Sequence, residues 1–180
     1  GSVMVDASKL PYEANVELTR DAVAWAHARA LWVEAELGEV GGKDGAHAPG
    51  ARTDPGEADE FVAATGVDAL AVAVGSSHAM TRQTAVLDVE LIRQLHDAVP
   101  VPLVLHGSSG VPDASLREAV TAGIAKVNIG TALNVAFTAA VRQRLDAETD
   151  LVDPRRYLRP ARDAMAAVVT ASLRALSPAA

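Results

Sequence analysis

The sequence predicts an α/β fold built from repeated strand–helix units. Five short runs of residues are almost continuously apolar, as expected for strands that are buried on both faces of a parallel sheet. Helical patterns separate these runs. The runs begin near residues 2, 31, 69, 101 and 126, and these separations leave room for one helix between successive parallel strands.

Strands and helices alternate along the chain, and capping signals set several helix boundaries. Pro55 lies in the first turn of its helix and Gly66 follows its last residue. Pro112 and Gly123 mark a later helix in the same way, and Pro100 ends the helix before it. The predicted elements are the strand Ser2–Asp6, the helix Glu13–Ala30, the strand Leu31–Glu36, the helix Pro55–Thr65, the strand Ala69–Gly75, the helix Asp88–Val99, the strand Val101–His106, the helix Pro112–Ala122, the strand Lys126–Gly130 and the helices Thr131–Glu148 and Pro154–Leu176.

Two architectures are compatible with this alternation of strands and helices. One is an open, doubly wound parallel sheet, and the other is a (β/α)8 barrel. A complete barrel needs about 250 residues, so five units in 180 residues would form only part of one. No linker, low-complexity segment or shift in composition divides the chain, and we therefore expect residues 1–180 to form a single domain.

Composition excludes several classes of protein. Sixteen basic and 23 acidic residues give a net charge of −7, the wrong sign for a general nucleic-acid binder, and 3% aromatic residues argue against base stacking. The absence of cysteine excludes disulfides and thiolate zinc ligands, and it fits a cytoplasmic location. No apolar run is long enough to span a membrane, and no secretory signal opens the sequence. Because the protein carries a net negative charge, an anionic ligand would need a local binding site, such as backbone N–H groups or a metal.

Polar side chains gather at the carboxyl ends of the predicted strands, which share one rim in either architecture. His78 and His106 are candidate metal ligands on this rim; the alternative is that each is a hydrogen-bonded loop histidine. Asp6 and Glu36 could orient these ligands, hold a second metal or act in acid–base chemistry, although Asp6 could also anchor loop N–H groups. Of Glu34 and Glu36 we expect at most one to point inward, and we choose Glu36 because it adjoins a glycine-rich loop. Asn128 is the fifth polar residue at the carboxyl ends of the predicted strands.

Three glycine-rich segments follow strands. Gly107–Gly110 and Asn128–Thr131 each lead into a helix, where small residues and the helix N-terminus favour an anion such as phosphate. Either segment alone could be only a tight turn. Gly38–Gly50 is long for a strand–helix loop, and we interpret it as a mobile lid.

Taken together, these residues resemble the class II, metal-dependent ketose-bisphosphate aldolases, the group that contains fructose- and tagatose-bisphosphate aldolases. The resemblance covers nearly all of the chain in order. The matching stretches are Ser2–Asp6 with Leu10-Pro11, Val33–Gly38 with Gly41-Gly42, Thr53–Pro55, Thr65–Gly75, Ser77-His78, Leu103–Gly110, Lys126–Thr131, Asp153–Arg155 with Tyr157, and Pro160–Arg162.

The resemblance implies a TIM-type (β/α)8 barrel of which this chain supplies about the last five units. It implies zinc ligation by His78 and His106, with Glu36, and Asp6 with less support, at a second or displaced metal position. Asp44 is a candidate for proton abstraction. A monovalent cation is a further candidate cofactor. Substrate or phosphate contacts are expected from Ala79, Gly107, Ser108, Ser109, Asn128, Ile129, Gly130 and Thr131.

The activity that the resemblance implies is that of a lyase in carbohydrate metabolism. A ketose bisphosphate such as fructose 1,6-bisphosphate would be cleaved reversibly to dihydroxyacetone phosphate and an aldehyde through a zinc-stabilised enediolate, in a cytoplasmic dimer or tetramer. The family's Asp-His-His segment, which carries a third zinc ligand and the proton donor, does not occur in this sequence. We therefore expect the C-terminal part of a longer aldolase, inactive by itself. The alternatives are a noncatalytic phosphate-binding or assembly fragment and, with less support, a phosphosugar isomerase.

Overall fold

A computed structural model of the chain describes residues 1–38 and 52–177. Strands and helices alternate as the sequence predicts, and a 3₁₀ turn lies at Ser108–Gly110. The strands are β1 (Ser2–Val5), β2 (Trp32–Leu37), β3 (Ala69–Val72), β4 (Leu103–Leu105) and β5 (Ile124–Val127). The helices are α1 (Tyr12–His27), α2 (Pro55–Thr65), α3 (Val89–Ala98), α4 (Asp113–Ala122), α5 (Thr131–Ala147) and α6 (Pro154–Leu176).

The five strands form one parallel sheet in the order β1-β2-β3-β4-β5. Neighbours along the chain are therefore neighbours in the sheet, and the order never reverses. A doubly wound sheet reverses its order at a switch point, whereas a (β/α)8 barrel does not. The structure thus decides between the two architectures, and the predicted partial barrel is confirmed.

The main hydrophobic core lies between the sheet and its helices. Side chains from one face of the strands, such as Val33, Leu70 and Leu103, are fully buried against Phe61 of α2 and Ile92 of α3. Side chains alternate across a strand, so the strand residues next to these core residues point to the opposite, inner face of the sheet. Ala69, Ala71 and Val104 form a separate small cluster there. Small residues on this face leave room for polar side chains above them.

The loops at the carboxyl ends of the strands are held by specific hydrogen bonds. Asp54 caps α2 by accepting hydrogen bonds from two N–H groups of its first turn. At the opposite end of the sheet, Gly66 ends the helix with a φ of +70°. Thr53 is buried between β2 and β3. Its hydroxyl donates to the Leu37 carbonyl (2.7 Å) and accepts from the Ala73 N–H (2.8 Å). These contacts fix the strand ends that carry the candidate site.

The strand β5 differs from its prediction, beginning at Ile124 rather than at Lys126. Gly123 has a φ of +129°, which lets the chain pass from α4 into the strand without a loop. Across residues 1–38 and 52–177, the helices are all too short or too polar to span a lipid bilayer.

Candidate active site

One pocket lies at the carboxyl ends of the strands. Asp6, His106 and Asn128 directly follow β1, β4 and β5, whereas Glu36 is the penultimate residue of β2. His78 lies in the segment between β3 and α3. The pocket has a volume of about 300 Å³, and its lining consists of Met4, Ser77, His78, Ala79, His106, Gly107, Ser109, Asn128, Ile129, Gly130 and Thr131.

His106 is the most tightly held side chain of the site. Its Nδ1 lies 2.7 Å from Oε2 of Glu36, and its Nε2 lies 2.9 Å from Oε1 of Glu34. The imidazole and both carboxylates are almost fully buried. The Lys126 ammonium group, 2.5 Å from Oε2 of Glu34, completes this chain of contacts.

The expectation that at most one of Glu34 and Glu36 points inward is wrong. Residues two apart on a strand share a face, so both carboxylates project to the inner side while Ala35 between them packs into the main core. The same spacing brings Lys126 and Asn128 to the inner face from β5 and the residue after it.

The electrostatics of the site follow from these contacts. Burial alone lowers the pKa of His106, but the hydrogen bonds that its ring donates to Glu34 and Glu36 outweigh this effect and raise the pKa to about 9. Burial alone raises the pKa of the Glu34 carboxyl, but the hydrogen bonds to His106 and Lys126 outweigh it, so that this pKa lies below its usual value. The site therefore couples one buried imidazole to two buried carboxylates.

Three side chains converge as a candidate metal centre. Glu36, His78 and His106 each offer one ligand atom, and these atoms all lie within 4.8 Å of one another. The two imidazole rings have their centroids 5.7 Å apart. Two histidines and one glutamate are the protein ligands of a recognised type of catalytic zinc site that keeps one coordination position open. The donor set therefore fits Zn²⁺.

Asp6 lies beside this group without being part of it. Its Oδ1 accepts a hydrogen bond from the Ser8 hydroxyl (2.8 Å), which also lies 3.2 Å from Oε1 of Glu36. Ser8 therefore links the Asp6 and Glu36 carboxylates. A metal-binding role for Asp6 stays a prediction.

The two predicted phosphate segments meet on one side of the pocket. Gly107 has a φ of +66°, and a Cβ there would lie 2.5 Å from the backbone of Ser77. The Ser109 hydroxyl accepts a hydrogen bond from the Ala132 N–H in the first turn of α5 (3.0 Å), which joins one segment to the helix that follows the other. Among residues 1–38 and 52–177, and apart from its own chain neighbours, no atom lies within 4 Å of a Cβ placed at Gly130. The open space beside the N-terminus of α5 is thus a cradle for a ligand.

The other predicted substrate residues differ in what they can offer. The Ser108 hydroxyl donates to the Leu105 carbonyl (3.1 Å) and is buried, so it is not a ligand group in this arrangement. Ala79 lines the pocket with a φ of +59°, a conformation that favours glycine and is strained for alanine. Asp44 and most of the glycine-rich segment interpreted as a lid lie outside the described residues.

Sequence reasoning missed four residues that build the site. Glu34 and Lys126 form the outer part of the His106 network, and Ser8 contacts Glu36. Asn15 of α1 donates from Nδ2 to the Glu36 carbonyl (3.2 Å). The spacing of two between Glu34 and Glu36, and between Lys126 and Asn128, was a signal that could have identified the first pair. Ser8 and Asn15 leave no comparable signal, because their partners lie on other elements.

Comparisons with known proteins match this chain in sequence and in fold. The sequence profile of the family described as class-II fructose-bisphosphate aldolase matches residues 1–179. The fructose-bisphosphate aldolase of Geobacillus stearothermophilus is 42% identical over 175 residues, which cover 96% of this chain and 61% of that protein.

Two solved structures share the fold. The YdjI aldolase from Escherichia coli K12 has a TM-score of 0.79 and 38% identity, over 98% of this chain and 59% of that one. A putative fructose-1,6-bisphosphate aldolase from Coccidioides immitis has a TM-score of 0.85 and 33% identity, over 97% and 62%. The chain thus spans about three fifths of the length of these relatives. On the profile match and these likenesses, the chain belongs to the class II fructose-bisphosphate aldolase family.

Proposed function

We propose that this chain carries the metal- and phosphate-binding part of an aldolase. The enzyme would cleave a ketose bisphosphate, of the fructose 1,6-bisphosphate type, reversibly to dihydroxyacetone phosphate and an aldehyde. The observation that carries the proposal is the convergence of Glu36, His78 and His106 beside an open cradle at the N-terminus of α5. The likeness to the fructose-bisphosphate aldolase of Geobacillus stearothermophilus supports the same activity.

The three converging side chains would hold the metal. When bound, Zn²⁺ supplies a Lewis acid that stabilises negative charge developing on a substrate oxygen. The Glu36 carboxylate offers either a ligand or a second metal position, and Asp6 is the further candidate for that position. A monovalent cation is the second proposed cofactor.

The phosphate group would bind at the opposite side of the same pocket. Backbone N–H groups at a helix N-terminus point toward an anion, and the helix dipole favours its charge. Gly130 and Thr131 are at this end of α5, and the Ser109 hydroxyl holds the first turn in place. Because one pocket is lined by these residues and by both histidines, a sugar phosphate anchored here extends toward the candidate metal centre.

Proton transfer requires groups beyond those that the structure describes. Asp44 is our candidate for proton abstraction from the substrate. The family's Asp-His-His segment is not in this sequence, so the proton donor would come from another part of the full protein. We propose that this protein is a cytoplasmic homo-oligomer.

A cleavage assay on the full-length protein, with zinc analysis, tests the proposal. We expect EDTA-sensitive cleavage of fructose 1,6-bisphosphate, which His78→Ala and His106→Ala each abolish. His27→Ala is the matched control, since His27 is an exposed histidine at the end of α1 that contacts Asp68 instead of the pocket. Absence of EDTA-sensitive cleavage of any ketose bisphosphate would refute the function.

The two phosphate segments, which line the pocket together, also suit a second candidate, a noncatalytic phosphate-binding or assembly protein. Calorimetry with dihydroxyacetone phosphate distinguishes the two. Binding of equal strength with and without zinc, unchanged by His78→Ala, would favour the noncatalytic candidate, whereas zinc-dependent binding would favour the aldolase.

A further inference from the structure

We propose that Glu34 and Lys126 are positioning residues that decide which ring nitrogen of His106 faces the metal. Glu34 accepts a hydrogen bond from the Nε2–H, which leaves Nδ1 as the ligand atom, and Lys126 fixes the position of the Glu34 carboxylate. The inference rests on the proposed function, since it concerns the same metal centre.

The two nitrogens of His106 face two different carboxylates. Nδ1 lies 2.7 Å from Glu36, which belongs to the converging metal group, whereas Nε2 lies 2.9 Å from Glu34, which does not. A neutral imidazole has one nitrogen that donates and one that can bind a metal. The nitrogen on the Glu36 side is therefore the one available to the ion, and the nitrogen on the Glu34 side keeps its proton.

Both oxygens of Glu34 are engaged by other side chains. Oε1 accepts from His106, and Oε2 accepts from the Lys126 ammonium group (2.5 Å). The Glu34 side chain is only 3% exposed, so its negative charge requires a compensating partner. Lys126 supplies that charge from a half-exposed position on β5. The contacts hold the carboxylate in one orientation.

A carboxylate that accepts the second N–H of a metal-bound histidine fixes the ring and makes the ligand nitrogen more basic. Loss of such a partner typically weakens metal binding by about 10- to 100-fold. A merely structural ion pair would instead lower the stability of the fold without changing the affinity of the folded protein for metal.

Zinc affinity, measured on the full-length protein by competition with a chromogenic chelator, separates these possibilities. Glu34→Ala is expected to weaken zinc binding by about 10- to 100-fold, and the nearly isosteric Glu34→Gln by less, because the amide oxygen still accepts the proton but carries no charge. Lys126→Met is expected to weaken binding and to alter the visible spectrum of the Co²⁺-loaded protein. Unchanged zinc affinity in Glu34→Gln and Lys126→Met would overturn the inference.

Asp68→Asn is the matched control. Asp68 also accepts hydrogen bonds from a histidine and holds a backbone N–H, but it lies before β3, at the opposite end of the sheet. We expect this variant to be less stable and to bind zinc as the wild type does. If it weakened zinc binding as much as Glu34→Gln, the effect would be structural and the inference would fail.

A second measurement needs no variant at all. In ¹¹³Cd-loaded protein with ¹⁵N-labelled histidine, scalar coupling between the metal and His106 is expected at Nδ1. Coupling at Nε2 would overturn the inference. A wild-type protein that binds neither Zn²⁺ nor Cd²⁺ would refute the proposed metal centre itself, whereas tight binding with coupling at Nε2 would refute only the role of Glu34.

Discussion

Two glycines at the candidate phosphate cradle have opposite surroundings. Gly107 has a positive φ, and a side chain there would collide with the backbone of Ser77, so its requirement comes from the protein itself. Gly130 has a φ of −130°, which other residues adopt readily, and a Cβ there would have no close neighbour in the part of the chain that the structure describes. On the proposed function, this space would hold the phosphate group.

Gly130→Ala should separate binding from folding. The added methyl group would occupy the cradle and raise the KM for the bisphosphate by about tenfold or more. The free energy of unfolding should change by no more than about 1 kcal/mol, the usual range for a change at a helix N-cap. Steady-state kinetics and urea denaturation measure the two effects. Gly107→Ala provides the contrast, because it should destabilise the fold, and an unchanged KM in Gly130→Ala would contradict a phosphate role.

At the scale of elements, a single buried hydroxyl joins the ends of β2 and β3. Thr53→Val preserves the shape of the side chain but leaves the Leu37 carbonyl and the Ala73 N–H without this partner. Unsatisfied buried groups cost about 1–3 kcal/mol each, so we expect a loss of at least about 2 kcal/mol in urea denaturation. Thr121→Val is the control, since the Thr121 hydroxyl only bonds back to Arg117 on an exposed face of α4. Similar losses of unfolding free energy in both variants would show that the hydrogen bonds of Thr53 between β2 and β3 add no stability.

The hydrogen bond between His27 of α1 and Asp68, just before β3, should affect how the stability of the fold depends on pH. Burial alone raises the pKa of the Asp68 carboxyl, but hydrogen bonds from His27 and from the Val33 N–H outweigh it and hold this pKa below its usual 3.8. A lowered pKa stabilises the fold above the unfolded value, and this contribution is lost as the pH falls through the folded value.

Urea midpoints of the wild type and of Asp68→Asn, measured from about pH 6 to about pH 3, test this. The difference in urea midpoint between the wild type and Asp68→Asn should become smaller toward low pH, because the wild type loses the stabilising contribution of the Asp68 carboxylate there. A gap that stays constant or widens on acidification would contradict the assignment. His27→Ala should reproduce part of the effect.

At the scale of the whole molecule, the candidate metal centre joins three neighbouring units of the barrel. Glu36 belongs to β2, His78 to the segment after β3 and His106 to the end of β4. An ion bound there would stabilise the folded state by mass action, by about 2.7 kcal/mol at a free zinc concentration 100 times the Kd. For a chain of this size that corresponds to a shift in Tm of roughly 5–10 °C.

Differential scanning calorimetry with and without EDTA should therefore show a lower Tm after chelation, and added zinc should restore it. The Tm of His78→Ala should be insensitive to EDTA, which excludes a general effect of the chelator. An EDTA effect of equal size in wild type and variant would place the metal elsewhere.

Much of the fold could be predicted because its signals are local. The bounds of α2 and α6 match the predictions, since prolines and glycines at helix ends act through their own backbone conformations. The strand ends were predicted less well. Ala73–Gly75 continue the apolar run beyond β3, but their backbone leaves the sheet to form loop contacts such as the one between Ala73 and Thr53. Such contacts depend on residues far away in sequence.

The sequence by itself determined the alternation of strands and helices, the chemical types of the candidate ligands and their positions near the strand ends, because periodicity and capping are properties of neighbouring residues. Only the tertiary structure decided that the sheet is wound in one direction. It also decided that Glu34 and Glu36 both contact the His106 imidazole, and that Lys126 of β5 contacts Glu34. Those outcomes depend on strand order and on distances between residues 70 to 92 positions apart, which no local pattern encodes.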